Sequence, residues 1–172
     1  MICAHAFAVE IIITELRAGW PDADRCVRVF LRLTIAALLG AIIGYQREAV
    51  GKAAGLRTHM LVSGGAALFV VSSLEADMSM EGLSRVIQGL ATGIGFIGAG
   101  AILKLAEERQ ITGLTTSAGI WMTAAVGVTV GLGHWGSAAI SVAITWIVLA
   151  VVGRIEFSAK QNREAGCDPS SV

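Results

Sequence analysis

The sequence predicts an all-α, polytopic transmembrane helical bundle of about five spans, preceded by a short N-terminal interfacial helix. Only 15% of its 172 residues are charged, against about 25% in ordinary soluble domains. The charges lie in short clusters between uncharged runs at 33–46, 58–74, 86–103 and 110–153. Such runs are long enough for membrane helices, whereas transmembrane β-strands would alternate polar and apolar residues.

Residues 1–20 are apolar but too interrupted for a clear span. His5 and Glu10 break the run, and neither a basic start nor a cleavage site marks a signal peptide. We expect a short interfacial helix with Trp20 at headgroup level. A full span is the alternative.

The transmembrane domain is predicted to cover 21–156, followed by a polar cytoplasmic tail at 157–172. Pro21 and Asp22 favour a helix start. As one helix, the run 110–153 would be about 66 Å long, twice the roughly 30 Å bilayer core. It must therefore turn, and the glycine-rich segment 131–134 is the expected place. The predicted spans are 27–46, 59–74, 86–103, 114–132 and 135–152.

The span 86–103 carries five glycines and is expected to be the central helix. On a helix Gly89, Gly93 and Gly100 share one face, while Gly95 and Gly98 form a second small-residue strip. Small residues let membrane helices approach closely, so we expect neighbours on both faces and disruption by leucine at Gly93 or Gly95. A phosphate-binding loop is disfavoured, because no strand precedes the glycines and no Lys-Ser/Thr follows.

The first span carries a similar face. Gly40 and Gly44 lie four residues apart, so we expect them to pack against a neighbouring helix. At the start of the same span, Arg32 is expected to snorkel toward the interface.

Lys and Arg near the spans predict the orientation. With five crossings, one side receives eight of them, in the clusters 47–57, 104–109 and 154–163, and the other side receives five. The positive-inside rule then places the N-terminus outside and the C-terminus in the cytoplasm.

Polar residues that could be functional gather near the first predicted cytoplasmic loop, 44–62. Glu48 could pair with Lys52 at i+4 or with Arg57 across the loop. The group would then be either a topology anchor with a surface ion pair, or an ionic lock or binding site at the cytoplasmic mouth. The candidates here are Arg47, Glu48, Arg57, Thr58 and His59.

Further candidates lie on the later spans. Gln88, Thr115 and Thr116 are expected to hydrogen-bond across helices inside the bundle. Trp121 is expected to serve packing or an interfacial belt rather than ligand binding.

The sequence does not predict an enzyme. It lacks HExxH, GxSxG and paired intramembrane carboxylates. The three cysteines, Cys3, Cys26 and Cys167, have no metal-ligand spacing and no obvious disulfide partner. We therefore predict no catalytic residue, metal or cofactor, and the net charge of zero argues against a nucleic-acid partner.

Four blocks in order resemble the membrane domain of the bacterial MgtC/SapB family: GAIIGYQRE, GKAAGLRTHMLVSGGAALF, GIGFIGAGAIL and GLTTSAGIWMTAAVGVTVGLG. The resemblance implies an inner-membrane protein of about five spans, linked to magnesium limitation, stress adaptation and virulence, and to inhibition of the ATP synthase. Several members carry a C-terminal cytoplasmic domain, which this sequence does not show after 156.

Three functions stay open at this point. The first is a non-enzymatic regulatory protein that binds another membrane complex, with the ATP synthase as the partner that the resemblance implies. The second is a Mg²⁺ transporter or channel component, although no Asp or Glu lies inside a predicted span. The third is a structural or assembly role. The bilayer itself is a partner in every case, and a homo-oligomer is compatible with the glycine faces.

Overall fold

The computed structural model describes residues 10–15, 22–103 and 112–153, and five helices of the last two ranges form a bundle. Predictions on His5, Trp20, the charged cluster 104–109 and the tail 157–172 lie outside these residues. Residues 10–15 are helical and exposed. The bundle consists of α1 (Ala23–Ala49), α2 (Leu56–Glu75), α3 (Met80–Leu103), α4 (Leu114–Gly131) and α5 (Trp135–Ile147), the last continuing as a π-helical turn over Val148–Val152.

The predicted all-α transmembrane bundle is confirmed. Four helices, α1 to α4, are long and apolar enough to cross a membrane, and the shorter apolar stretch Trp135–Val151 follows them. The predicted turn inside the run 110–153 is present, because α4 ends at Gly131 and α5 begins at Trp135. Gly133 occupies this turn with a φ of +87°.

The central helix is α4, so the prediction that 86–103 is central was wrong. α4 packs against each of the other four helices. Half of the residues in its apolar 18-residue stretch are buried, against 6% in the corresponding stretch of α3. Gly119, Thr123, Gly127 and Gly131 recur every four residues along α4 and are all buried. This regular small-residue strip, rather than the number of glycines, places a helix in the centre.

Helix α3 lies at the edge of the bundle and packs mainly on α4. Leu83, Ile94 and Gly98 are buried there, and Gly98 faces the Ser117 hydroxyl. A Cβ added at Gly89, Gly93, Gly95 or Gly100 would meet no atom of the described residues within 4 Å. Of the five glycines predicted to pack on α3, only Gly98 therefore closely approaches another of the described helices.

Close backbone approach occurs instead among α1, α2 and α4. A Cβ at Gly40 would lie 2.5 Å from the His59 carbonyl oxygen, and one at Gly44 would lie 2.8 Å from the Leu56 Cα. A Cβ at Gly127 would overlap the Ser63 carbonyl oxygen. These three glycines let the helices touch backbone to backbone, as small residues do in membrane bundles.

The contacts show that successive helices alternate in direction. Arg32 Nη1 donates to the Gly131 carbonyl at 2.9 Å, which joins the start of α1 to the end of α4. Arg47 contacts Thr116, which joins the end of α1 to the start of α4. We call these two ends of the bundle the Arg32 end and the Arg47 end.

Candidate functional site

A cluster of buried polar side chains begins at the Arg47 end and extends into the bundle between α1, α2 and α4. Each member is at most 6% exposed. Polar groups in a lipid-embedded bundle are expensive unless they are hydrogen-bonded, and intramembrane ionisable residues are functional candidates by default. The buried polar cluster consists of Arg47, His59, Ser63, Thr116 and Thr123.

Arg47 provides the charge of the cluster. It lies on the last turn of α1 and is 4% exposed. Its Nη2 donates to the Thr116 hydroxyl at 3.0 Å, while its Nε has no hydrogen-bond partner among the described residues. No carboxylate in the described ranges lies within 4.0 Å of it. The cluster is therefore positively charged and rich in donors, an environment that repels cations.

His59 adds an acceptor beside this charge. Its side chain is fully buried, and its Nδ1 lies 2.9 Å from the Gly55 carbonyl oxygen. Since a carbonyl only accepts, Nδ1 carries the proton, and in the neutral ring Nε2 is left as an acceptor. Nε2 lies toward α4, 3.7 Å from where a Cβ at Gly119 would be, and has no partner in the described part of the chain.

Two hydroxyls complete the cluster one and two turns deeper. Ser63 is fully buried, and its Oγ has no partner among the residues described. Thr123 donates to the Gly119 carbonyl of its own helix at 2.8 Å. The cluster thus combines a guanidinium, an imidazole acceptor and a hydroxyl with unused hydrogen-bonding capacity. It could bind a small polar or anionic group.

Glu48 supports the site from the loop side in a way that differs from the expected ion pair. Its Oε2 accepts a hydrogen bond from the Leu56 backbone N–H at 2.8 Å, so it caps the first turn of α2. A carboxylate is favourable there because helix N-termini carry partial positive charge. Within the described ranges Glu48 makes no ion pair with Lys52 or Arg57.

The structure brings some of the predicted residues together and separates others. Arg47, Glu48, His59 and Thr116 meet at the Arg47 end. Arg57 and Thr115 are exposed beside them, and Thr58 is half-buried.

Two other candidates face outward. Trp121 is 51% exposed on α4, as expected for a belt or packing residue. Gln88 is exposed near the opposite, Arg32 end, where its Nε2 lies 3.4 Å from the Ser84 hydroxyl of the same helix. The expected hydrogen bond from Gln88 to another helix was wrong, because the described contact of its amide is with Ser84 of its own helix.

Sequence reasoning missed Ser63 and Thr123. Both belong to strips of four-residue spacing, Ser63 with His59 on α2 and Thr123 with Gly119 and Gly127 on α4. That spacing was the available signal, since residues four apart share a helix face. In the described ranges no three His, Cys, Asp or Glu side chains are placed to hold a metal ion.

Comparison with known proteins places the chain in a family. The model of the MgtC family matches residues 33–157. The chain is 45% identical over 107 residues to Protein SrpB of Synechococcus elongatus, covering 56% of this chain and 59% of that protein. It is 40% identical over 134 residues to the Putative magnesium transporter YhiD of Escherichia coli K12, covering 74% and 61%.

A third relative gives the same result. Protein MgtC of Salmonella typhimurium is 43% identical over 98 residues, covering 57% of this chain and 41% of that protein. The chain thus spans between about two fifths and three fifths of the length of these relatives. No solved structure matches it significantly. The family match covers the buried polar cluster and the described bundle from residue 33 onward, and this chain belongs to the MgtC family.

Proposed function

We propose that this chain is a non-enzymatic regulatory protein of the bacterial inner membrane that binds another membrane complex through the outer face of α3. The observation that carries the proposal is the face of Gly89, Gly93 and Gly100, which is open as far as the described residues go. Backbone exposed by small residues is a surface on which a second membrane helix packs closely. The ATP synthase is the partner that resemblance to the family favours, and adaptation to magnesium limitation or stress is the setting.

The experiment is co-purification of the tagged full chain from gently solubilised membranes. Gly93→Leu fills the α3 face, and we expect it to abolish recovery of the partner and any effect on ATP hydrolysis. Because a Cβ at Gly93 meets no atom of the described residues within 4 Å, the variant should keep the melting temperature of the wild type. Gly136→Leu is the matched control, since Gly136 is equally open but lies on α5.

Each outcome decides the proposal. Loss of the partner in Gly93→Leu alone supports it. Recovery of self-oligomers only, or equal loss in both variants, contradicts it. Unchanged ATP synthase activity in a deletion strain would contradict the choice of the ATP synthase.

Magnesium transport is the second candidate, since one relative is named a putative magnesium transporter. Mg²⁺ sites use one or two carboxylates with retained waters. The buried polar residues of the described bundle include Arg47 and no carboxylate, which disfavours a cation path. Mg²⁺ flux in proteoliposomes that Glu48→Gln abolishes and Arg57→Gln preserves would favour transport over regulation.

The proposed orientation keeps the Arg47 end in the cytoplasm and the N-terminus outside. Labelling of single cysteines tests it. A cysteine at Lys52 should react only in opened vesicles, and one at Met78, at the other end of α2, should react in intact cells. The reverse pattern would invert the topology.

A further inference from the structure

A cleft of about 440 Å³ opens at the Arg32 end, between the first turns of α1 and the end of α2. Its volume falls within the roughly 300–1,000 Å³ of small-molecule sites. α1 contributes three arginines, and the end of α2 with its following turn contributes two carboxylates. Apolar side chains, among them Val29, Val71 and Leu74, line the rest. The five charged residues are Arg25, Arg28, Arg32, Glu75 and Asp77.

These opposite charges share the cleft without neutralising one another directly. Among the residues described, the ion pair that forms is Arg85–Glu81 on α3, outside the cleft. Arg32 is engaged with the Gly131 carbonyl at the end of α4. Arg25 and Arg28 are exposed and make no ion pair with any described residue. The cleft therefore offers separate positive and negative groups to a ligand.

The carboxylates lie where local helix chemistry disfavours them. A helix C-terminus carries partial negative charge and favours cations, yet α2 ends with Glu75 and is followed by Asp77. The start of α1, by contrast, follows the rule, because Asp24 lies in its first turn. Carboxylates at the end of α2 that break the rule point to a functional demand.

Asp77 occupies a turn position that glycine occupies at two other helix ends of the chain. The α1, α2 and α4 helices all end in the same turn, in which one residue takes the left-handed conformation. That residue is Gly51 after α1 and Gly133 after α4, with φ of +67° and +87°. After α2 it is Asp77, with φ of +49°. A carboxylate thus occupies a position that favours glycine.

The length of α1 favours headgroup depth for the cleft. α1 has 27 residues, or about 40 Å of helix, while the hydrocarbon core is about 30 Å thick. We therefore expect the arginine-bearing turns at the start of α1 to reach the headgroup layer. Arginine near a membrane surface is suited to lipid phosphate.

We propose that this cleft binds the phosphoethanolamine headgroup of a bilayer phospholipid. The phosphate lies against Arg25 and Arg28, and the ammonium group lies against Glu75 and Asp77. The glycerol backbone and the first methylenes follow Val29 and Leu74. A lipid such as phosphatidylglycerol, which has a phosphate but no amine, would satisfy the arginines alone.

Native mass spectrometry of the full chain, with phosphatidylethanolamine and phosphatidylglycerol added in equal amounts, tests this site. We expect the wild type to retain the ethanolamine lipid at least fivefold more. Arg25→Gln/Arg28→Gln should lower retention of both lipids about tenfold. Glu75→Gln/Asp77→Asn should keep phosphatidylglycerol binding and abolish the preference for the amine. Asparagine tolerates the left-handed conformation, so this variant preserves the turn.

Arg85→Gln is the control, since Arg85 lies at the same end of the bundle but outside the cleft. Preserved preference in the carboxylate variant, or equal lipid loss in Arg85→Gln, would overturn the proposal. Retention of soluble glycerophosphoethanolamine as strongly as the lipid would assign the site to a free headgroup compound and overturn the lipid assignment. If the double arginine variant does not fold, Arg28→Gln and the carboxylate variant still decide.

Discussion

Gly127→Ala is expected to destabilise the bundle, although the same change usually favours a helix. A Cβ at Gly127 overlaps the Ser63 carbonyl oxygen and lies 2.9 Å from both the Ser63 carbonyl carbon and its Cα. Real Cβ contacts essentially never fall below 3.0 Å. All three neighbours are backbone atoms, which cannot rotate aside, so α2 and α4 would have to separate.

The expected magnitude follows from two opposing effects. Overpacking a close-packed core costs about 1–3 kcal/mol, and a backbone contact puts Gly127 toward the upper value. Replacing glycine by alanine in a helix contributes up to about 1 kcal/mol of stability. The net loss is about 1–2 kcal/mol, which corresponds to a melting temperature lower by roughly 2–8 °C for a chain of this size.

Thermal melting of the purified chain in detergent, followed by tryptophan fluorescence, is the assay. Gly93→Ala is the matched control, because it makes the same change on α3, where a Cβ has no neighbour within 4 Å in the described part of the chain. We expect Gly93→Ala to leave the melting temperature unchanged or to raise it by up to about 4 °C. Equal shifts in the two variants, or a larger loss at Gly93, would refute the assignment of α4 as the central helix.

Three further predictions concern the ends of the helices and use the same melting assay. Thr116→Val should lower the free energy of unfolding by about 1–3 kcal/mol, because it leaves the buried Arg47 guanidinium without its acceptor. Arg47→Met should cost less, since it removes the charge itself. The opposite ranking would show that the guanidinium has another partner. Glu48→Ala should cost about 0.5–2 kcal/mol through loss of the α2 cap, and Glu48→Gln should cost clearly less because its amide oxygen still accepts; equal losses would contradict the capping role. Asp77→Gly should raise the free energy of unfolding by about 1 kcal/mol and Gly133→Ala should lower it by a similar amount, since both positions have a left-handed backbone. If Asp77→Gly lowered the stability instead, contacts within the bundle would have to hold the carboxylate.

Much of the architecture follows from the sequence because charged side chains are energetically costly in the bilayer core. The uncharged run 110–153 had to turn, and it turns at Gly133, where the left-handed φ suits glycine. The helical class follows from the same constraint, since every backbone polar group in lipid must be satisfied within its own segment. These features depend on local composition, which a single sequence reports directly.

The order of the helices in space could not be predicted in this way. Both α3 and α4 carry small residues, and the pattern alone does not say whether such a face meets another helix of the same chain or remains open. The strict spacing from Gly119 to Gly131 distinguishes α4 in retrospect. It continues over the whole helix, whereas the α3 glycines break register after Gly93.

Only part of the candidate site could be predicted, because sequence proximity shows which residues are neighbours but not which groups they bind. Arg47, Glu48 and His59 lie close together along the chain, so a short loop necessarily brings them to one end of the bundle. Their actual partners could not be inferred from that proximity. Arg47 reaches Thr116, 69 residues away, and Glu48 binds a backbone N–H rather than a charged side chain.

The marginal position of α3 has a consequence for biogenesis. The ribosome delivers α3 before α4, yet α4 supplies most of the surface on which α3 rests. While the nascent chain still lacks α4, α1 and α2 can already associate through Gly40 and Gly44, and α3 has only its smaller contact with α2. Insertion of α4 then provides the main surface for α3 and closes the polar interior, before α5 packs on α1 and α4.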